Sequence, residues 1–190
     1  VRLTDTGTVA ATVLSGIGAI TEGTVTVNGA MTITGSTEEI KNALVTETSK
    51  VIATTSANVT FVGDNPTGAE LADINDAAGG TITLANNAQT FTGTAAVMKS
   101  AFAGGLANTQ TGAVKINDTT GTIAATVLTD ITAQTSGTVT AAAAGITITG
   151  TTTEVKAAIV TEATKAIMAN GKVRLTDTGT VAATVLSGIG

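Results

Sequence analysis

The chain has 190 residues, a formal net charge of −5 and 12% charged residues; an acidic balance of this kind excludes nucleic-acid binding, which needs Lys and Arg against phosphates. It contains no Cys and no His, which removes disulfides, the commonest metal ligands and the commonest general base. No apolar run approaches the length of about 18 residues that a membrane-spanning helix needs. With 43 Thr, three Phe and neither Trp nor Tyr, the core must be built from Val, Ile, Leu and Ala, and Thr must fill outward strand positions. That is unlike an enzyme of this size.

Residues 1–18, VRLTDTGTVAATVLSGIG, return letter for letter as residues 173–190, a period of 173 − 1 = 172. Within it, residues 23–47 align with 137–162, and residues 79–105 form a more divergent copy between them. Three copies in one long period give units of about 57 residues, a spacing typical of repeat arrays. The predicted organisation is unit 1 over 1–57, a divergent unit 2 over 58–112, unit 3 over 113–172, and at 173–190 the start of a further super-repeat. The duplication predicts that the chain is one segment of a longer array.

Each unit opens with a short alternating run, Val1 and Leu3, then Val59 and Phe61, then Val114 and Ile116. A helically spaced stretch follows, marked by Leu14 and Ile17, Leu71 and Ile74, or Leu128 and Ile131. A second strand carries Val25 and Val27 between threonines, and a third carries Met31 and Ile33. Strict alternation predicts one buried face and one Thr face. Asn28-Gly29 between these strands favours a hairpin, although an arc between two sheets stays open. Ser36-x-x-Glu39 and Thr151-x-x-Glu154 have the spacing of capping boxes. They start helices of about four turns, over Ile40 to Val51 and Val155 to Ile167. The middle copy keeps Thr94 but has Val97 in the Glu position. All three Phe fall in slots that are aliphatic in the other copies, which predicts core packing.

The fold class expected is α/β: a repeat solenoid of about 57-residue β-α-β-β-α units, with an all-β solenoid carrying short helices as the alternative. Strands sit about 4.8 Å apart and packed helices about 8–10 Å. If one helix per unit stacks on its own copy, each unit advances two strand spacings. The expected result is one sheet between two helix columns.

The segments TDTGTVAATVL, TVLTDIT and ITGTTTEVKAAI make the whole chain resemble the Thr-rich tandem repeats of very large bacterial surface proteins. These include the giant repeat proteins of marine cyanobacteria and adhesin-like exported proteins. The resemblance implies an extracellular or cell-surface structural or adhesive role and brings no functional residues. The calcium-binding glycine-and-aspartate nonapeptide of many such proteins has no match here.

Candidate sites are few. Asp5, Asp118 and Asp177 recur just after the first strand, with Asp64 nearby in the middle copy. They are calcium candidates, but the favoured reading is that each accepts a backbone amide in its own turn. Asp73, Asn75 and Asp76 read as a small acidic turn. Glu39 and Glu47, like Glu154 and Glu162, lie eight residues apart, about 12 Å along a helix, too far for a catalytic dyad. Thr-x-Thr pairs such as Thr24/Thr26, Thr32/Thr34 and Thr147/Thr149 could present a flat lattice to ice, against the favoured reading as ordinary outward positions. Lys50 and Lys165 read as solvated. No catalytic or cofactor-binding residue is assigned.

The functional expectation is a structural tandem-repeat segment of a large extracellular filament or fibre protein, not an enzyme. Its partner would be itself, head-to-tail with further repeats or neighbouring chains. The alternative is an adhesin or ligand-binding module for glycan, calcium or ice.

Overall fold

A computed structural model describes residues 1–4, 6–27, 31–46, 51–53, 57–141, 143–161, 166–168 and 170–189. The fold is mixed α/β with parallel sheets, and the chain divides into two compact units. One comprises residues 1–87 and 100–109, the other residues 88–99 and 110–190.

The first unit has two parallel sheets. Strands β1 (Arg2–Leu3), β3 (Val25–Val27) and β5 (Val51–Ala53) form one, in that order; β2 (Gly7–Ala10), β4 (Met31–Gly35), β6 (Ala57–Phe61) and β7 (Gly79–Thr83) form the other. Helices α1 (Ala11–Ile20), α2 (Thr37–Leu44) and α3 (Gly68–Ala78) follow β2, β4 and β6. The chain therefore repeats strand, strand in the second sheet, helix. We call each such turn a rung. Val9, Ile33, Val59 and Ile82 lie in register across the second sheet, and Val25 and Val51 across the first. Of these, all but the half-buried Val9 are buried, as are Ile40, Leu71 and Ile74 of the helices.

The second unit repeats the plan. β8 (Phe91–Gly93), β9 (Val114–Ile116), β11 (Val139–Ala141) and β13 (Ala166–Ile167) form one parallel sheet; β10 (Thr120–Ala124), β12 (Gly145–Gly150) and β14 (Lys172–Leu175) form the other. Helices α4 (Ala95–Phe102), α5 (Ala125–Thr132), α6 (Thr152–Ile159) and α7 (Ala183–Leu186) follow β8, β10, β12 and β14. Its registers align Phe91, Val114 and Val139, and Ile123, Ile148 and Val173. Phe61, Phe91 and Phe102 are all buried, as expected of core residues.

Several expectations are corrected. Every strand pairing among the described residues is parallel, and β3 and β4 belong to different sheets. The turn at Asn28-Gly29 lies outside the described residues, but the strands it joins do not form a hairpin. Each unit holds two sheets and not one. Gly7–Ala10 is a strand that the sequence reading passed over, because Gly7-Thr8 reads as turn chemistry. The Ser36 and Thr151 helices have eight residues, not four turns. Both end at a β-branched pair, where Thr46 Oγ1 donates to the Lys41 carbonyl and Thr161 Oγ1 to that of Lys156. Val51 and Ile167 lie beyond these ends, in β5 and β13.

The stacking step also differs from the sequence period. Register partners are between 22 residues apart (Ala57 with Gly79) and 27 apart (Val139 with Ala166). A sequence unit of about 57 residues thus spans a little more than two rungs, and its copies slip sideways. Val1–Leu3 adjoins β3 in one sheet, whereas Val59–Phe61 joins the sheet of β2 and β4. Val114–Ile116 and Val173–Leu175 differ in the same way in the second unit. Consecutive helices touch, α1 with α2 and α2 with α3, so the first unit has one helix row and not two columns. Because helices need more room than strands, such a row requires the rungs to spread on the helical side.

Backbone approaches backbone most closely at Gly112 and Gly137. A Cβ at Gly137 would sit 2.2 Å from the Gly112 carbonyl oxygen, and one at Gly112 would overlap that of Gln89. Gly137→Ala should therefore cost about 2 kcal/mol, the scale of overpacking a close-packed interior. Gly16 lies exposed inside α1 with nothing near its missing Cβ, so Gly16→Ala should stabilise by about 0.5–1 kcal/mol. Urea midpoints should move in opposite directions for the two variants; equal shifts would contradict this register.

Candidate functional site

The recurring aspartates occupy the joints between rungs. Asp118 Oδ2 accepts the Ala95 amide at 2.7 Å, and Asp177 Oδ2 accepts the Thr152 amide and hydroxyl, each at 2.7 Å. Asp64 Oδ1 stands 3.5 Å from the Thr37 amide. All three amides open a helix, α4, α6 and α2. The partner is therefore the helix one rung upstream and not the aspartate's own turn, which corrects the expectation. Asp5 lies outside the described residues.

The first amides of a helix have no partner within it. At α6 the Thr151 amide donates to Glu154 Oε2 at 2.7 Å and the Glu154 amide to Thr151 Oγ1 at 3.3 Å, completing the expected box. Ser36 and Glu39 do the same at α2. Asp177 or Asp64 faces the amide in between, so three helix-start donors are met, one of them by the next rung. α4 has only half a box, with the Val97 amide on Thr94 Oγ1, and Asp118 supplements it. A further box, Thr67 with Glu70 at α3, was legible as Thr67-Gly-Ala-Glu70 but went unassigned. Backbone bonds flank the aspartates: the amides of Val62, Asn117 and Thr176 donate to the carbonyls of Gly35, Gly93 and Gly150.

Asp73, Asn75 and Asp76 are not a turn but lie in α3. Buried Asn75 donates through Nδ2 to the carbonyls of Ser100 and Ala103, at 2.9 and 2.6 Å, and Asp76 accepts from the Ser100 hydroxyl. Two ion pairs likewise join neighbouring helices: Lys41 with Glu70 at 2.7 Å and Lys99 with Asp130 at 3.0 Å. Lys41 and Glu70 border an open polar hollow lined also by Thr37, Asp64 and Asn65. The Lys41 ammonium, then the Thr67 amide, pull the Glu70 carboxyl down to about 2, and Glu70 raises Lys41 in return. Asp177 is lowered, chiefly by the Thr152 hydroxyl.

These carboxylates face N–H and O–H donors. Among the described residues, no three acidic side chains are grouped so as to hold a metal ion. Glu47 and Glu162, the distant members of the glutamate pairs, and Lys50 and Lys165 lie outside the described residues. Glu39 and Glu154 act as helix caps. The Thr rows are short and half-buried. Thr34, Thr60 and Thr83 stand in register, but Asn58 interrupts the row of Thr8 and Thr32, and Lys172 ends that of Thr122 and Thr147. The arrangement caps and aligns helices; no nucleophile, base and oxyanion donor are brought together.

Asp118→Ala should cost about 1 kcal/mol, the usual value of a helix cap, seen as a lower urea midpoint; an unchanged midpoint would contradict the cross-rung cap. Acid acts in a definite direction. Glu70 is held below its ordinary value of 4.5, so its contribution is present above that pH and lost as the pH falls toward about 2. The thermal midpoint should fall through this window, and Glu70→Gln should melt lower at pH 7 while losing less between pH 4.5 and 2. A variant whose acid profile parallels the parent's would rule out Glu70 as a contributor.

No protein-family model, no curated protein and no solved structure matches this chain.

Proposed function

We propose that this chain is a structural tandem-repeat segment, a solenoid of rungs that lengthens a large extracellular or cell-surface filament or fibre protein. The observation that carries the reading is the duplicated 18-residue segment. Its two copies begin a helix at the same residue, Ala11 and Ala183, after alanines with nearly the same backbone, φ −72°, ψ 138° and φ −65°, ψ 138°. Leu14, followed by further rungs, is fully buried, whereas its duplicate Leu186 is 42% exposed. Burial thus depends on the neighbouring rung, as in quasi-one-dimensional proteins.

The assignment as a structural protein and not an enzyme rests on where the polar groups are used. The described aspartates, glutamates and buried Asn75 mainly cap helices or join rungs. An adhesive, calcium-binding or ice-binding face has less support, because the Thr rows are short and all three Phe are buried. No described helix is long and apolar enough to cross a membrane. The surface location rests on the resemblance of the repeats.

Two measurements test the proposal. Chains carrying one, two and three copies of the 172-residue period should lengthen linearly in small-angle scattering, and their urea midpoints should rise with copy number. Midpoints independent of copy number would mean self-sufficient beads and would end the solenoid reading. Immunogold labelling of source cells should decorate the surface; label confined to the interior would end the extracellular one.

A further inference from the structure

The seat that holds residues 173–190 is built for a sequence that occurs twice in the chain. β14 pairs with β12, matching Val173 to Ile148 and Leu175 to Gly150. The Thr176 amide donates to the Gly150 carbonyl at 2.9 Å, and Asp177 caps α6 at Thr152. Residues 1–18 are identical in sequence, so they carry every side chain that this seat binds.

We infer that residues 1–18 of a second copy of this chain can take the seat of residues 173–190, joining copies head-to-tail by segment exchange. The inference rests on the stacking proposed above and names its partner and register. Residues 1–18 remain available on the required side. β1 pairs only with β3 and β2 only with β4, each at a sheet edge among the described strands. Beside this edge lies an apolar hollow lined by Leu3, Val9, Val13, Ile17 and Met31.

Pairing on both sides is compatible with the fold. β9, the counterpart of β1 in the third sequence copy, pairs with β8 on one edge and β11 on the other; β6 lies likewise between β4 and β7. The incoming segment can therefore keep its own β3 and β4 while meeting the other chain's β12 and α6. In the intact chain the tethered duplicate holds the seat at an effective concentration of about millimolar, so exchange between chains is suppressed well below that.

The test uses the full chain with Val173→Asp and Leu175→Asp, which weaken the resident segment and leave residues 1–18 unchanged. At tens of micromolar the unaltered chain should run as a monomer in multi-angle light scattering. The double variant should grow in mass with concentration. A labelled peptide, VRLTDTGTVAATVLSGIG, should bind the variant one to one, at least tenfold more tightly than the unaltered chain, and return it to monomer mass. A folded variant that stays monomeric and ignores the peptide overturns the inference, as does association that a scrambled peptide dissolves equally. If circular dichroism shows the variant unfolded, labelled peptide at millimolar excess is instead equilibrated with the unaltered chain. Co-elution supports exchange and its absence overturns it. The copy-number series reads rung stacking without any exchange, so the two proposals can fail separately.

Discussion

Each rung presents apolar side chains that only the next rung can cover, and the rest of the structure depends on that constraint. Ala11 is buried and its duplicate Ala183 is exposed, although both start helices from extended alanines. The sequence is the same, and the difference lies in the following rung, which supplies β3, β4 and α2 in one case. α1 runs for ten residues, whereas α7 has four and buries none. Local propensity starts the helix, but packing extends it, as expected when most helical stability comes from burying a face.

The joints reconcile this dependence with a polar backbone. Hydrophobic burial is non-directional and would tolerate sliding by a residue, which in a strand turns every side chain to the wrong face. Directional contacts oppose such a slip. Asp118 and Asp177 reach the helix start of the preceding rung, Asn75 reaches carbonyls at the end of α4, and Lys41 meets Glu70 across α2 and α3. The few charged residues of this chain are concentrated in these contacts, which accounts for carboxylates that recur without gathering into a catalytic or metal-binding cluster among the described residues.

Local features were legible in the sequence. The alternation at Val25–Val27 and Met31–Ile33, the boxes at Ser36 and Thr151, the weakened start at Thr94 and the burial of the Phe residues depend on neighbours within a few positions. Partnerships across rungs were not. Nothing local distinguishes an Asp that caps its own turn from one that caps a helix 25 residues upstream, and Asn28-Gly29 suits a hairpin whether or not the strands belong to one sheet. Helix length was overestimated because Val51 continues the helical spacing of Ile40 and Leu44, while the β-branched stop at Val45-Thr46 is a weaker pattern. The mismatch between a 57-residue sequence period and a step of about 25 residues misplaced the copies, since periodicity in sequence carries no information on how the chain folds back.

Parallel pairing has a consequence of its own. Within each unit all described strands point the same way, so the stack has a forward and a backward end that differ chemically. One looks out with helix amides awaiting a carboxylate, the other with the carboxylates that would meet them. A molecule so built is a vector: cargo or neighbours attached along it inherit its orientation, and its two extremities grow, fray or bind by different chemistry.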